Sequence, residues 1–335
     1  MKTLASTIMV CLLALFQSPF ASAQDALTIG HFNEWPLPAH YGQSSGAYDE
    51  VLGAETEWRA FDSSTSMFAA LENGDIQIAL SQGVVPFLQV ATAGMAFDVV
   101  DIAVSYADNE NCVAHHSLGF SSENASVLVG KTVALPFGTT AHYNLLRQLA
   151  HFNINPASVH LLNMSPTQAA AALRQEKADI ACGWGPALND MLTNGVQLTS
   201  ANLKTELGGG NFDLIVVRSS FGTDNPEVVA QFLKVTADLN ASFTANPARM
   251  IAGIASPLNM TEEAVKSSMA GFQFPTINEK TGATWLGGGV ETYLKDLADF
   301  FVEHGTIDEA LGSYAENIDI SYLQAAMDLP LVPSE

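Results

Sequence analysis

Residues 131–150, KTVALPFGTTAHYNLLRQLA, read as a short strand, a turn and a helix. Thr132, Val133, Ala134 and Leu135 form an apolar run that stops at Pro136, the pattern of a short core strand. Gly138, Thr139 and Thr140 supply turn chemistry and a helix N-cap. Leu145, Leu146 and Leu149 then recur at helical spacing. A strand that delivers the chain into a helix start leaves unpaired backbone N–H groups at the positive end of the helix dipole. Such a junction holds an anion, and the two threonines add hydroxyl donors. A small anionic head group is expected on this turn, with the rest of the chain closing over it.

The same junction recurs upstream. A first strand at 27–30 runs into Asn33, Glu34 and Trp35, a loop fixed by Pro36 and Pro38. In open α/β sheets, ligands bind beyond the carboxyl ends of strands. Glu34 is read as functional there, and Trp35 as either a core plug or a cleft wall. A helix is expected around 41–52 and a second strand at 56–61, followed by the hydroxyl-rich Asp62–Ser66 stretch and a helix carrying Met67, Ala70 and Leu71 on one face. A third strand at 76–80 gives way to Ser81-Gln82-Gly83, read as the opening of another helix. Each start is also a good N-cap, but three in succession favour a site. Strands are expected at 97–104, 111–116, 158–162 and 178–182, and at 212–217, where Asp213 stands near the start. Ser165 caps a helix with Pro166 in its first turn. Beyond Asn225 the chain reads as helices at 226–244, 247–254, 262–269 and 290–303, with a helical tail from Ile307.

Size and charge bound the possibilities. Lys2, an apolar segment at 8–16 and Ala21-Ser22-Ala23 read as a cleavable export signal over residues 1–23, too short in its apolar part to span a membrane. The remaining 312 of 335 residues suit two lobes rather than one modest core. The net charge of −22 becomes about −23 without Lys2, which argues against nucleic acid or an anionic membrane as partner. The surface charge otherwise reads as a solubility feature. The mature chain has two cysteines, Cys112 and Cys182. In an oxidising compartment an even count permits one disulfide, while both could equally be small buried apolar residues. The disulfide is favoured because both fall in segments placed near one cleft.

Two segments share a plan: ALENGDIQIALSQG at 70–83 and ALRQEKADIACGWG at 172–185. Each is a helix end, an acidic turn, a short strand and a Gly-containing junction. Two lobes of similar build explain the echo. The first lobe is expected over 24–108 plus 218–335 and the second over 109–217, with a hinge of two crossing segments around Asn111 and Val216.

WRAFDSSTSMFAALENGDIQIALSQG (58–83), GKTVALPFGTTAHYNLLRQLAHFNI (130–154), ACGWGPAL (181–188) and NFDLIVVRSSF (211–221) together resemble the periplasmic taurine-binding proteins of ABC importers. These group with the aliphatic-sulfonate and nitrate binding proteins. The resemblance spans most of the mature chain with its motifs in order. It implies an α/β, two-lobed periplasmic binding fold, each lobe a mixed sheet flanked by helices. It also implies a monomer that delivers taurine to an inner-membrane permease and needs no cofactor or metal. By position, Ser64 and Ser66 match the first-lobe helix start that helps hold the sulfonate. Thr139, Thr140, His142 and Tyr143 match the second-lobe start, Trp184 an aromatic wall, and Asp213 the carboxylate for the ammonium. Ser81 and Gln82 join them as polar residues at a strand end. Where the family often has Trp-Asp-Pro, this chain has Trp184-Gly185-Pro186, and Glu34 is the candidate replacement carboxylate.

Other ligands compete: hypotaurine, aminoethylphosphonate, or an alkanesulfonate, for which buried carboxylates would be costly. A desulfinase-like enzyme on the same fold would want a nucleophilic cysteine after the first strand, where Asn33-Glu34-Trp35 stand instead. Cys112, His115 and His116 lack the second ligand cluster of a metal site. A sensor-type binding protein is a third reading.

Overall fold

In a computed structural model, the described residues are 27–106, 109–200, 202–203, 212–305 and 307–331. The expected export signal therefore lies outside the described residues. Two mixed sheets form two lobes. The first sheet has the order β11-β4-β10-β3-β1-β2 and the second β7-β6-β8-β5-β9. The strands are β1 Leu27–Phe32, β2 Thr56–Phe61, β3 Ile78–Gly83, β4 Phe97–Tyr106, β5 Glu110–His115, β6 Thr132–Leu135, β7 His160–Asn163, β8 Ile180–Trp184, β9 Gly195–Gln197, β10 Phe212–Arg218 and β11 Phe272–Gln273. Parallel pairs β1/β2, β1/β3, β6/β7 and β6/β8 are the crossover units, and β10 and β5 run antiparallel to their neighbours.

The α-helices that precede β9 are α1 Pro38–Ser45, α2 Ala47–Leu52, α3 Ser64–Asn73, α4 Val84–Thr92, α5 Thr140–His151, α6 Pro166–Arg174 and α7 Gly185–Asn194. The single helix expected over 41–52 is broken at Gly46, whose φ of 76° puts the chain in the left-handed region. Helices α3, α5 and α6 begin with side-chain caps from Ser63, Thr139 and Ser165. In α5, Leu145 and Leu149 are fully buried against Val133, Leu135 and Ile180 in the second lobe's core. Each such side chain removed from water contributes about 1.5–3 kcal/mol.

Three expectations about elements need correction. Ser81-Gln82-Gly83 do not open a helix; they extend β3, which pairs with β10 as far as Gly83 opposite Asp213. The boundary after Val217 is misplaced, because β10 is hydrogen-bonded between β3 and β4 of the first sheet. Leu214, Ile215, Val216 and Val217 are all fully buried, as a central strand requires. Val216 is therefore sheet and not hinge, and Asn111 likewise sits inside β5. The tail from Ile307 is mostly irregular, with a short 3-10 turn at Ala315–Asn317 and an α-helix at Ser321–Met327.

The helices beyond β10 cover the first sheet. Lys280 Nζ reaches Asp101 Oδ2 at 2.8 Å, with both groups out of water, tying this cover to β4. In the second lobe Cys112 and Cys182 face each other across β5 and β8 and are joined by a disulfide.

Candidate functional site

The lobes meet face to face along the carboxyl ends of β1, β3, β6 and β8. Between them lies a small cavity lined by Phe32, Trp35, Tyr106 and Trp184, by Ser64, Ser81, Thr139 and Thr140, and by Asp213 and Glu110, with Gly83 and Pro86 completing the wall. About 50 Å³ is reachable by the centre of a water molecule. One water needs roughly 10–15 Å³ on that measure, so the cavity suits a few waters or one small molecule. A larger groove of about 1110 Å³ lies on the C-terminal helices, near Phe243, Ile251, Phe274 and Trp285. It lacks the convergent buried carboxylates and hydroxyls of the cleft, so the cleft is the candidate site.

Asp213 is strongly perturbed by its surroundings there. Its Oδ2 accepts from Ser81 Oγ at 2.7 Å and its Oδ1 from Tyr106 Oη at 3.1 Å. Burial pushes its pKa up to about 7, against which the hydrogen bonds from Ser81 and Tyr106 act. The indole N–H of Trp35 also faces this carboxylate and adds a smaller lowering, but it is buried without a hydrogen bond of good geometry. Ser81 holds its position with a φ of 65°, a left-handed conformation that non-glycine residues adopt at a cost. That twist turns Oγ onto Asp213. Glu110, also buried, accepts from Asn144 Nδ2 at 2.6 Å. Asp213 belongs to the first sheet and Glu110 to the second, so the two carboxylates flank the cavity from opposite lobes.

Helix starts line the same cavity. Ser64 begins α3, Gly83 precedes α4, Thr139 and Thr140 begin α5, and Trp184 precedes α7. All five line the cavity, so four helix N-termini converge on it. Their first N–H groups and partial positive charge favour an anion. Gly138, at φ 69°, makes the turn that delivers β6 into α5. Among the described residues, the lining includes no Lys, Arg or His. His31 and His40 lie buried beside the Asn33–Trp35 loop and touch through Nδ1 and Nε2 at 3.2 Å. Burial lowers their pKa values to about 4 and about 3, so neither brings charge.

Seven of the sequence-selected residues meet in the cavity: Trp35, Ser64, Ser81, Thr139, Thr140, Trp184 and Asp213. The others lie elsewhere. Asn33, Glu34 and Ser66 line an outer chamber of about 610 Å³ at the cleft mouth. There Glu34 Oε1 accepts from Thr167 Oγ1 of the other lobe at 2.9 Å, and Ser66 Oγ donates back to the Ser63 carbonyl. Gln82 is buried away from the cleft, with Nε2 against Met67 Sδ. His142 stacks on Phe137, and Tyr143 sits edge-on to Phe300 and Phe301. Phe32, Tyr106 and Glu110 went unselected. Tyr106 and Glu110 flank the crossing between sheets, and that position was their available signal. Glu110, rather than Glu34, is the second carboxylate in the cavity. Gly185 explains the departure from Trp-Asp-Pro. Its φ is 56°, and a Cβ there would lie 2.9 Å from the Glu34 carbonyl oxygen, so the Asn33–Trp35 loop occupies the space an aspartate would need.

A family model described as NMT1/THI5 like matches residues 60–250. The chain belongs to the NMT1/THI5-like family. This family member is 29% identical over 293 residues to the taurine-binding periplasmic protein of Escherichia coli (strain K12), covering 86% of this chain and 89% of that protein. Its fold matches the alkanesulfonate-binding protein SsuA from Xanthomonas axonopodis pv. citri bound to MOPS, with TM-score 0.71, 19% identity, and coverage of 89% of this chain and 99% of that one. It also matches the desulfurization enzyme DszB, with TM-score 0.64, 13% identity, and coverage of 91% and 99%. Fold alone therefore spans binders and an enzyme. The sequence relatives are binding proteins and not enzymes, and this NMT1/THI5-like chain groups with them.

Proposed function

We propose that this chain is the periplasmic binding component of an ABC importer, that it acts as a monomer, and that it takes taurine into the cleft for delivery to a membrane permease. One observation carries the reading. The cavity is lined by two buried carboxylates and by four helix N-termini with hydroxyls, and among the described residues no cationic side chain lines it. A small zwitterion complements both sets of groups. The ammonium meets Asp213 and Glu110, which need a buried counter-charge. The sulfonate meets Ser64, Thr139, Thr140 and the helix starts, and being anionic at any ordinary pH it needs donors but no proton transfer. Trp35 and Trp184 line the two methylenes, and aromatic faces near the ammonium add roughly 0.5–2 kcal/mol. The small volume disfavours bulky sulfonates, and the carboxylates disfavour alkanesulfonates without an amine. Hypotaurine and aminoethylphosphonate share the favoured charge pattern and are the competing ligands.

A thermal-shift screen over taurine, hypotaurine, aminoethylphosphonate, isethionate and ethanesulfonate tests this. Taurine is expected to raise Tm most, with about 2.7 kcal/mol of stabilisation at a hundredfold excess over Kd. A shift with ethanesulfonate and none with any amine-bearing ligand would overturn it.

A further inference from the structure

Resting on the reading of the cavity as a site for an amine-bearing zwitterion, we propose that Asn144 is the positioning residue for its cation end, holding Glu110 so that the ammonium bridges the two lobes. Asn144 lies one turn into α5, buried to 1% exposure. Its Nδ2 donates to Glu110 Oε1 at 2.6 Å. An amide N–H fixed to one carboxylate oxygen sets the side chain's rotation, and Glu110 lines the cavity. The backbone under it is held as well. Glu110 pairs with Trp184 across β5 and β8, two residues from the disulfide-linked pair Cys112 and Cys182. The next turn of α5 presents Gln148, whose Nε2 donates to Asn111 Oδ1 at 3.0 Å and Thr199 Oγ1 at 2.8 Å. One face of α5 thus grips β5 at Glu110 and Asn111.

The same helix offers its N-terminus, with Thr139 and Thr140, to the cavity, where the anion of the zwitterion would be held. Helix α5 is therefore a ruler that fixes the distance between anion donors and one cation acceptor, while Asp213 reaches in from the opposite sheet. Only a ligand with an ammonium engages Glu110 and Asp213 together, so the cation end couples ligand identity to lobe closure.

A double-mutant cycle on the full chain tests this with taurine as the probe. Calorimetry would give Kd for the wild type, Asn144→Leu, Glu110→Gln and the double variant, with Asn144→Ala as the alternative should the leucine not be accommodated. Asn144→Leu is expected to weaken taurine about tenfold or more, the range for a hydrogen bond to a charged group. In the Glu110→Gln background the same change is expected to alter Kd less than about twofold, because its route of action is gone. Isethionate, with a hydroxyl for the amine, should lose little on Asn144→Leu. Equal loss in both backgrounds, equal loss for both ligands, or unchanged taurine affinity would overturn the role of Asn144 alone. Absence of taurine binding by the wild-type chain would overturn the reading of the cavity, and the proposal with it.

Discussion

Asp213 concentrates the chemistry of the cleft in one side chain. Its pKa is raised to about 7, above its unfolded value near 3.9. The folded state thus holds the proton more tightly, and the group's contribution to stability is greatest below pH 4 and is lost as pH rises toward 7. A bound ammonium reverses the preference by favouring the carboxylate. Taurine binding is therefore expected to weaken about tenfold per pH unit below pH 7, until the pKa of the bound state is reached. Calorimetry at pH 6 in buffers of different ionisation enthalpy should record release of a proton on binding. Asp213→Asn should lose both the affinity and the pH dependence, and retention of either would remove Asp213 from the cation site. This residue was legible in the sequence as an acidic side chain at a strand start. Glu110 was not, because a carboxylate at the edge of a polar stretch looks like any solvated surface residue until the sheets are assembled around it.

At the scale of elements, the strand–turn–helix junctions carry the site, and most could be read locally. The Thr139 cap, the Gly138 turn and the leucine spacing of α5 are decided within about fifteen residues. Where reading failed, the competing influence was non-local. Ser81-Gln82-Gly83 resemble a helix start, yet pairing with β10 draws them into β3. Tyr143 resembles a cleft residue by its neighbours, yet helical geometry turns it toward the C-terminal helix Gly289–Glu303. The β5/β8 pair is also cross-linked. The bond closes a loop with a sequence separation of 70 residues, for which chain entropy gives about 4 kcal/mol. A Cys112→Ala/Cys182→Ala variant is expected to lose stability of that order in denaturant titration. Its taurine affinity should change little, because the β5/β8 ladder still sets Glu110 opposite Trp184. A loss of affinity larger than the loss of stability would mean that the disulfide shapes the site directly.

Across the whole molecule, the lobes touch at several points around the cavity. Thr167 donates to Glu34, Asn189 Nδ2 to Ser267 Oγ at 3.1 Å, and Asn109 Nδ2 to the Ser268 carbonyl at 2.7 Å. An apolar contact is made by Tyr143 of α5 against Phe300 and Phe301, with Arg147 set over the Phe300 ring. These contacts exist only when the lobes are together, so they bias the closed state. Tyr143→Ala is expected to weaken taurine several-fold, mainly through faster release, and to leave selectivity among ligands unchanged. Stopped-flow tryptophan fluorescence would measure this, and an altered ligand preference would place Tyr143 in the site after all. By itself, the sequence determined the α/β units, their caps and the helix starts that line the cleft, because each follows from residue spacing over a single turn or strand, and chain length with the repeated 70–83 and 172–185 plan gave the two lobes. Tertiary structure alone decided that β10 belongs to the first sheet, that Gly185 makes room for the Glu34 backbone, and that Glu110 rather than Glu34 faces Asp213. Those outcomes depend on which buried surfaces and backbone hydrogen bonds are satisfied between segments a hundred residues apart, and no local pattern encodes them.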